Sequence, residues 1–298
     1  MNTGYILLIV LGLTWTVIAV VMSEAKRRNC SVQLFYFAGS LFAAAVLLSF
    51  IGNSGIREIF SPGKRIALWS FIAGAVFNGT GQLLTMTNLK NGGRAVAYVI
   101  PQQAFIFPYV WSIFFFNQHF TLISAVGMLL IVGAIMFLTL HRKQDNSRTL
   151  PVRRIAVACI ALLFMGVGQI FMVLPTQLAA NAILSPVAGT SVIFCTNAVF
   201  FGLWCAISGM PQKFEIKKSF VYGLVWGAVA VLSFCVLLQA LRLLGEDRQA
   251  GIVFPAGTGV LIVCYTAFTA LFYREKLNFK QVLAFGVVSC GILMSKLG

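Results

Sequence analysis

Ten long apolar stretches alternate with short polar breaks along the chain, at roughly residues 4 to 22, 32 to 51, 66 to 88, 95 to 116, 121 to 140, 155 to 174, 185 to 208, 219 to 241, 250 to 272 and 279 to 296. A bilayer core about 30 Å thick takes roughly 20 apolar residues per helical crossing, so each stretch is long enough to span. The runs are nearly continuous. A membrane barrel would instead alternate apolar and polar residues over segments of about ten. The first stretch follows Met1, Asn2, Thr3 and Gly4 with no basic lead-in, so it is expected to remain as a helix. The pattern predicts an all-α integral membrane protein with ten transmembrane helices.

The longest polar interruption falls near the midpoint, and shifting the chain by about 154 residues superposes one half on the other. Ser70, Gly74, Ala75 and Val76 fall on Gly223, Gly227, Ala228 and Val229, while Arg94 and Pro101 fall on Arg248 and Pro255. The basic pair Lys64 and Arg65 falls on Lys217 and Lys218. The expected organisation is a first five-helix repeat over 1–140, a basic linker over 141–154 and a second five-helix repeat over 155–298. Five is odd, so the second copy enters the membrane from the opposite side. Two inverted five-helix repeats meeting at the midplane are an architecture of secondary transporters.

Composition closes off other classes. Of 298 residues 59% are hydrophobic and 10% charged, against about 25% charged in a soluble domain. The net charge of +15 arises from basic residues in the breaks between spans, where they meet the anionic inner leaflet rather than nucleic acid. Sixteen of the 22 basic residues fall on one side of the ten-helix arrangement. That side is expected to be cytoplasmic, with both termini outside, in the plasma (inner) membrane.

Conventional catalytic chemistry is missing. The seven acidic residues sit at helix ends or in loops, where a solvated or paired role is expected, and Thr14 and Trp15 occupy the middle of the first helix. His119 and His141 are isolated at helix edges, so neither enzyme activity nor a metal or other cofactor is expected. Six of the seven cysteines, Cys159, Cys195, Cys205, Cys235, Cys264 and Cys290, lie in apolar segments and read as small buried hydrophobes.

Uncharged polarity at helical spacing is the informative signal. Asn78, Gln82, Thr85 and Asn88 form one stripe in the third helix; Tyr98, Pro101, Gln102, Phe105 and Tyr109 form another in the fourth. An unpaired amide in hydrocarbon costs several kcal/mol, so both stripes must face protein or a watery cavity. The repeat-equivalents of the first stripe are Val231, Cys235, Leu238 and Leu241, so one half has kept polarity where the other is smooth. Interhelical hydrogen bonding and solute contact both remain open for any one of these residues. The expected solute site comprises Trp15, Asn78, Gln82, Tyr98, Gln102, Phe105, Gln169, Trp226, Thr258 and Tyr265, the aromatic faces serving apolar or cationic groups. Pro101 and Pro255 each remove a helical hydrogen bond and are expected to act as hinges, with kinking or local unwinding over Pro255 to Gly259.

The five-plus-five plan with a Pro in the fourth helix of each half, and the segment FYREKLNFKQVLAFGVVSCGIL at Phe272 to Leu293, resemble the drug/metabolite transporter superfamily in its ten-helix EamA-like branch. A weaker copy stands in the first half as FNQHFTLISAVGMLLIVGAIMFL. The resemblance implies a central cavity lined mainly by helices 1, 3, 4, 6, 8 and 9. The expected function is a secondary transporter that moves a small organic metabolite (amino acid, nucleoside-like or amine) by alternating access, with export favoured. Uptake of a polar metabolite and a non-transporting scaffold are the alternatives. The partners are the solute and the lipid bilayer.

Overall fold

A computed structural model describes residues 3–90, 100–116, 121–140, 152–177, 182–208 and 213–272, together with 283, 284, 286–288, 290, 291 and 294. Among these residues the regular structure is entirely helical: α1 (Thr3–Arg27), α2 (Val32–Ile59), α3 (Arg65–Lys90), α4 (Ile106–Phe116), α5 (Leu122–Leu140), α6 (Val152–Val173), α7 (Pro186–Ser208), α8 (Lys213–Glu246) and α9 (Val253–Phe272). Helical residues recur between 283 and 294. Two 3₁₀ turns matter for the site: Gln103–Phe105, which follows helical residues 100–102 and leads into α4, and Ala250–Ile252, which leads into α9.

Among the described residues six helical segments are long and apolar enough to cross a membrane. They are Thr3–Arg27, Val32–Ile59, Val152–Thr176, Pro186–Ser208, Glu215–Glu246 and Ala250–Phe268. At 26 residues α3 has the length to cross, but its amides and threonines leave it less apolar than those six. The surface is that of a lipid-embedded protein. On α1, Ile6, Ile9, Leu13 and Val17 recur at intervals of three and four and are all 45% exposed or more, the reverse of the arrangement on a water-facing helix.

Local chemistry sets the ends. α2 runs beyond the predicted boundary at residue 51 because Gly52 adopts φ 60, ψ −179 and turns the chain before a last polar stretch to Ile59. α1 and α8 close with left-handed residues, Asn29 (φ 56) and Arg248 (φ 54), and the amides of Cys30 and Gln249 reach back to the carbonyls of Ala25 and Leu244. This is the Schellman closure, in which glycine avoids the Cβ strain. Arg248→Gly is therefore expected to stabilise the protein by about 0.5 to 1 kcal/mol, read as a higher unfolding temperature in detergent.

Helix packing brings distant parts of the sequence together. α1 lies against α8 and α9, α3 against α6 and α7, α2 against α7 and α8, and α4 against α6. The small residues at Gly223 and Gly227 allow the closest approach: a Cβ added at Gly223 would stand 2.6 Å from the Phe35 carbonyl oxygen, and one at Gly227 would collide with the backbone of Gly39. Gly74 plays the corresponding part on α3, 3.1 Å from the Gly168 carbonyl of α6 by the same measure. The cysteine expectation needs correction. Cys159 and Cys290 are exposed, whereas Cys30 is the buried one. A small apolar thiol is as acceptable against lipid as in a core, so hydropathy alone does not separate the two.

Candidate functional site

The third-helix stripe faces α6, where two of its members are consumed by the bundle. Thr85 donates to the Gly81 carbonyl of its own helix at 2.8 Å, and Asn88 Nδ2 donates to the Arg154 carbonyl at 3.1 Å, tying α3 to the start of α6. Asn78 is 9% exposed and lies directly against Gly168, at which a Cβ would stand 2.9 Å from the Asn78 Cβ. Beside Gly168, Gln169 presents a fully buried side-chain oxygen with no hydrogen-bond partner among the described residues. Asn78 and Gln169, 91 positions apart in sequence, thus share one level of the α3–α6 seam, with half-buried Gln82 one turn along. Among the described residues the Gln169 oxygen is thus a buried acceptor left unpaired at this level.

A second group gathers where α1 meets α9. The Trp15 ring lies over Gly257, 2.9 Å from where a Cβ would stand, and beside Phe254 with centroids 6.3 Å apart. Thr258 is buried on the same stretch of α9, and half-buried Tyr265 follows two turns later. Pro255 occupies the first turn of α9, where a missing N–H disrupts no intrahelical bond, and residues 253–272 are continuously helical. The kink expected over Pro255 to Gly259 is therefore absent; the irregular backbone lies earlier, at Ala250–Ile252. In the first half the break does lie beside its proline, since buried Pro101 stands two residues before the 3₁₀ turn Gln103–Phe105.

Other residues land elsewhere. Trp226 is 4% exposed and locked among Phe35, Tyr36 and Phe194, with centroids 5.8, 5.3 and 6.1 Å away. This aromatic cluster belongs to a different hydrophobic core from the one that Trp15 packs against. Phe105 is buried in the latter core, and Gln102 is half-buried at the edge of the 3₁₀ turn. Tyr98 lies outside the described residues, as do His119, His141, Asp145 and Glu275.

The stripe reading passed over Gln103. This residue is 7% exposed, and both its amide atoms are buried without a hydrogen-bond partner among the described residues. A continuous α-helix through positions 98, 102, 105 and 109 favoured Gln102, but a 3₁₀ turn advances about 120° per residue instead of 100°, so its three residues rotate the inward face by about 60°, towards Gln103. The doublet Gln102–Gln103 was the available signal. Asn197 on α7 was missed too; its side-chain oxygen is buried, unpartnered among the described residues and packed against Gly79 of α3.

The carboxylates behave as helix-end groups. Glu24 pairs with Arg27 and Arg28 at 3.0 and 2.8 Å, and Glu58 with Lys64 at 2.8 Å. Among the described residues no three His, Cys, Asp or Glu side chains converge. The buried polar side chains among the described residues are carboxamides and hydroxyls, with aromatic faces beside them.

Comparison with known proteins bears on the fold and the family. A search of curated proteins gives no match. Residues 222–283 match a family described as a domain of unknown function (DUF7981). Among solved structures 28 chains match; one, a crystal structure described only as that of a protein, has a TM-score of 0.69 at 14% identity over 100% of this chain and 97% of its own, which establishes a shared fold. Residues 2–140 match the EamA-like transporter family. With its apolar helices, the chain is a multi-pass membrane protein whose residues 2–140 match the EamA-like transporter family, a likeness consistent with the drug/metabolite transporter superfamily.

Proposed function

We propose that this protein is a secondary transporter that moves a small organic solute by alternating access between two inverted five-helix repeats, 1–140 and 155–298, with export the favoured direction. The observation that carries this reading is the α3–α6 seam, where Asn78 and Gln169 keep carboxamides inside an apolar bundle and Gln169 Oε1 has no partner among the described residues. Packing alone is poorly served by such a group, since a buried unpaired acceptor costs about 1–3 kcal/mol.

Reciprocal packing supports the inverted repeat. Under a shift of five helices α1 becomes α6 and α8 answers α3, so the contact of α1 with α8 is the counterpart of that between α6 and α3. In the same way Gly12 meets Val260 of α9, and Gly166 meets Phe107 of α4. Two equivalent halves with exchangeable contacts are what alternating access requires. Pro101 and Pro255 stand beside the two 3₁₀ turns, the natural hinge points of such a motion.

Proteoliposomes containing the purified protein and loaded with labelled leucine, uridine, glucose or choline test the reading. At least one solute is expected to cross well above empty-vesicle leakage. The double variant Asn78→Leu/Gln169→Leu is expected to lower that flux at least tenfold while reaching the membrane in normal amount. Failure of the whole panel to move, or undiminished flux in the double variant, would overturn it.

A further inference from the structure

Gln103 combines three properties that no other described residue shares. Its amide oxygen and its amide nitrogen are both fully buried and both lack a partner among the described residues. It opens a 3₁₀ turn inside an otherwise α-helical crossing. That turn packs against α6 and α9, one turn before Phe107, whose ring covers Gly166. Mid-helix 3₁₀ backbone marks strain or a functional hinge, and a buried unpaired amide is costly in either setting. Leucine or methionine would fill the position at lower cost. The equivalent position in the second half, Gly257, has no side chain and is covered by Trp15. The asymmetry therefore lies in the chemistry rather than in the space to be filled.

The charge inventory narrows what such an amide can meet. Every buried polar side chain among the described residues is uncharged: serines, threonines, asparagines and Gln103 itself. A charged solute drawn into this interior would lose its hydration without gaining a counter-charge. A primary carboxamide presents one acceptor beside two donors in a plane, so its best complement is a neutral group with a donor and an acceptor side by side.

Resting on the transport reading above, we infer that Gln103 selects the solute, and that the solute is an uncharged molecule bearing a carboxamide, imide or nucleobase-like edge. The amide pairs with that edge through two hydrogen bonds. Discrimination then follows because a solute lacking the edge leaves a buried donor and acceptor unsatisfied.

The test uses the full-length purified protein, with nicotinamide, uracil and uridine as probes of the edge and choline and benzoate as charged comparators. Thermal unfolding is measured with each, since a ligand bound by the folded state raises the transition, and flux is measured in proteoliposomes. The wild type is expected to be stabilised by at least one edge-bearing probe and by neither comparator. Gln103→Leu and Gln103→Met are expected to melt no lower than wild type without ligand, while the probe's apparent Kd rises at least tenfold and its flux falls in step. Unchanged probe binding in both variants would overturn the assignment, as would stabilisation by choline or benzoate alone. Unfolding of both variants without ligand would make Gln103 a packing residue and overturn it equally. Vesicles that carry choline or glucose but none of the edge-bearing probes leave transport standing and remove only this inference; vesicles that carry nothing remove both.

Discussion

Gly39→Leu should leave no monodisperse, folded protein, because it wedges side-chain volume between two backbones. A Cβ at this position would stand 2.5 Å from the Gly223 carbonyl oxygen of α8 and 2.5 Å from the Trp226 ring, and Gly227, one turn further along α8, lies against the Gly39 backbone as well. Rotamer changes cannot relieve a collision with main chain, so α2 and α8 must separate. Separation would break up the aromatic cluster built on that crossing, including the Phe35–Trp226 and Tyr36–Trp226 contacts at 5.8 and 5.3 Å. Overpacking a core costs about 1–3 kcal/mol even where side chains can adjust. With main chain and a locked indole ring in the way the expected loss is about 4 kcal/mol or more, a large part of the stability of a typical domain. Gly133→Leu is the control: nothing among the described residues lies within 4 Å of its added Cβ, so it should melt within a degree or two of wild type. Size-exclusion profiles and thermal melts in one detergent separate the two. A folded Gly39→Leu protein with wild-type melting would refute the close crossing.

The second large effect is expected from Glu58→Ala. Oε1 of Glu58 accepts from Lys64 Nζ at 2.8 Å and from the Ser185 amide at 2.7 Å, and Oε2 accepts from the Ser185 hydroxyl at 2.8 Å. Lys64 also donates to the Ile183 carbonyl at 2.9 Å. One carboxylate thus joins the end of α2 to the segment entering α7, where Ser185 accepts the Gly189 amide on its carbonyl. The side chains of Glu58 and Lys64 are 23% and 19% exposed, so neither partner is freely rehydrated when the other is removed. Alanine removes three charge-assisted bonds and strands Lys64, for an expected cost of about 2–3 kcal/mol. Glu24→Ala should cost no more than about 0.5 kcal/mol, because its arginine partners are 67% and 52% exposed. Melting temperatures of the two variants, compared at one ionic strength, check the contrast. Equal shifts would show that Glu58 is no more than a surface ion.

The pair Glu58–Lys64 was legible in the chain, because two opposite charges six residues apart at a helix end have few other places to go. Ser185 was not, since nothing local ties it to a residue 127 positions earlier. Asn78 and Gln169 show the same division. Each could be marked as polar in an apolar span, and the offset of the halves pointed to Trp15 as the equivalent of Gln169. That Asn78 lies against Gly168, next to Gln169, depends on how α3 crosses α6. Gln103 marks the limit of periodicity: three residues of 3₁₀ backbone sufficed to move the inward position from one glutamine to its neighbour.

Helix existence and approximate extent were local matters. In lipid each backbone must satisfy its own hydrogen bonds within a single crossing, so length and apolar composition decide where a helix lies. Partnership among polar groups was not local. Which amides find a carbonyl, as Asn88 finds that of Arg154, and which stay unpaired, as in Gln169 and Gln103, is settled by close approaches between distant segments and by fractions of a helical turn. Only the packed molecule contains that information.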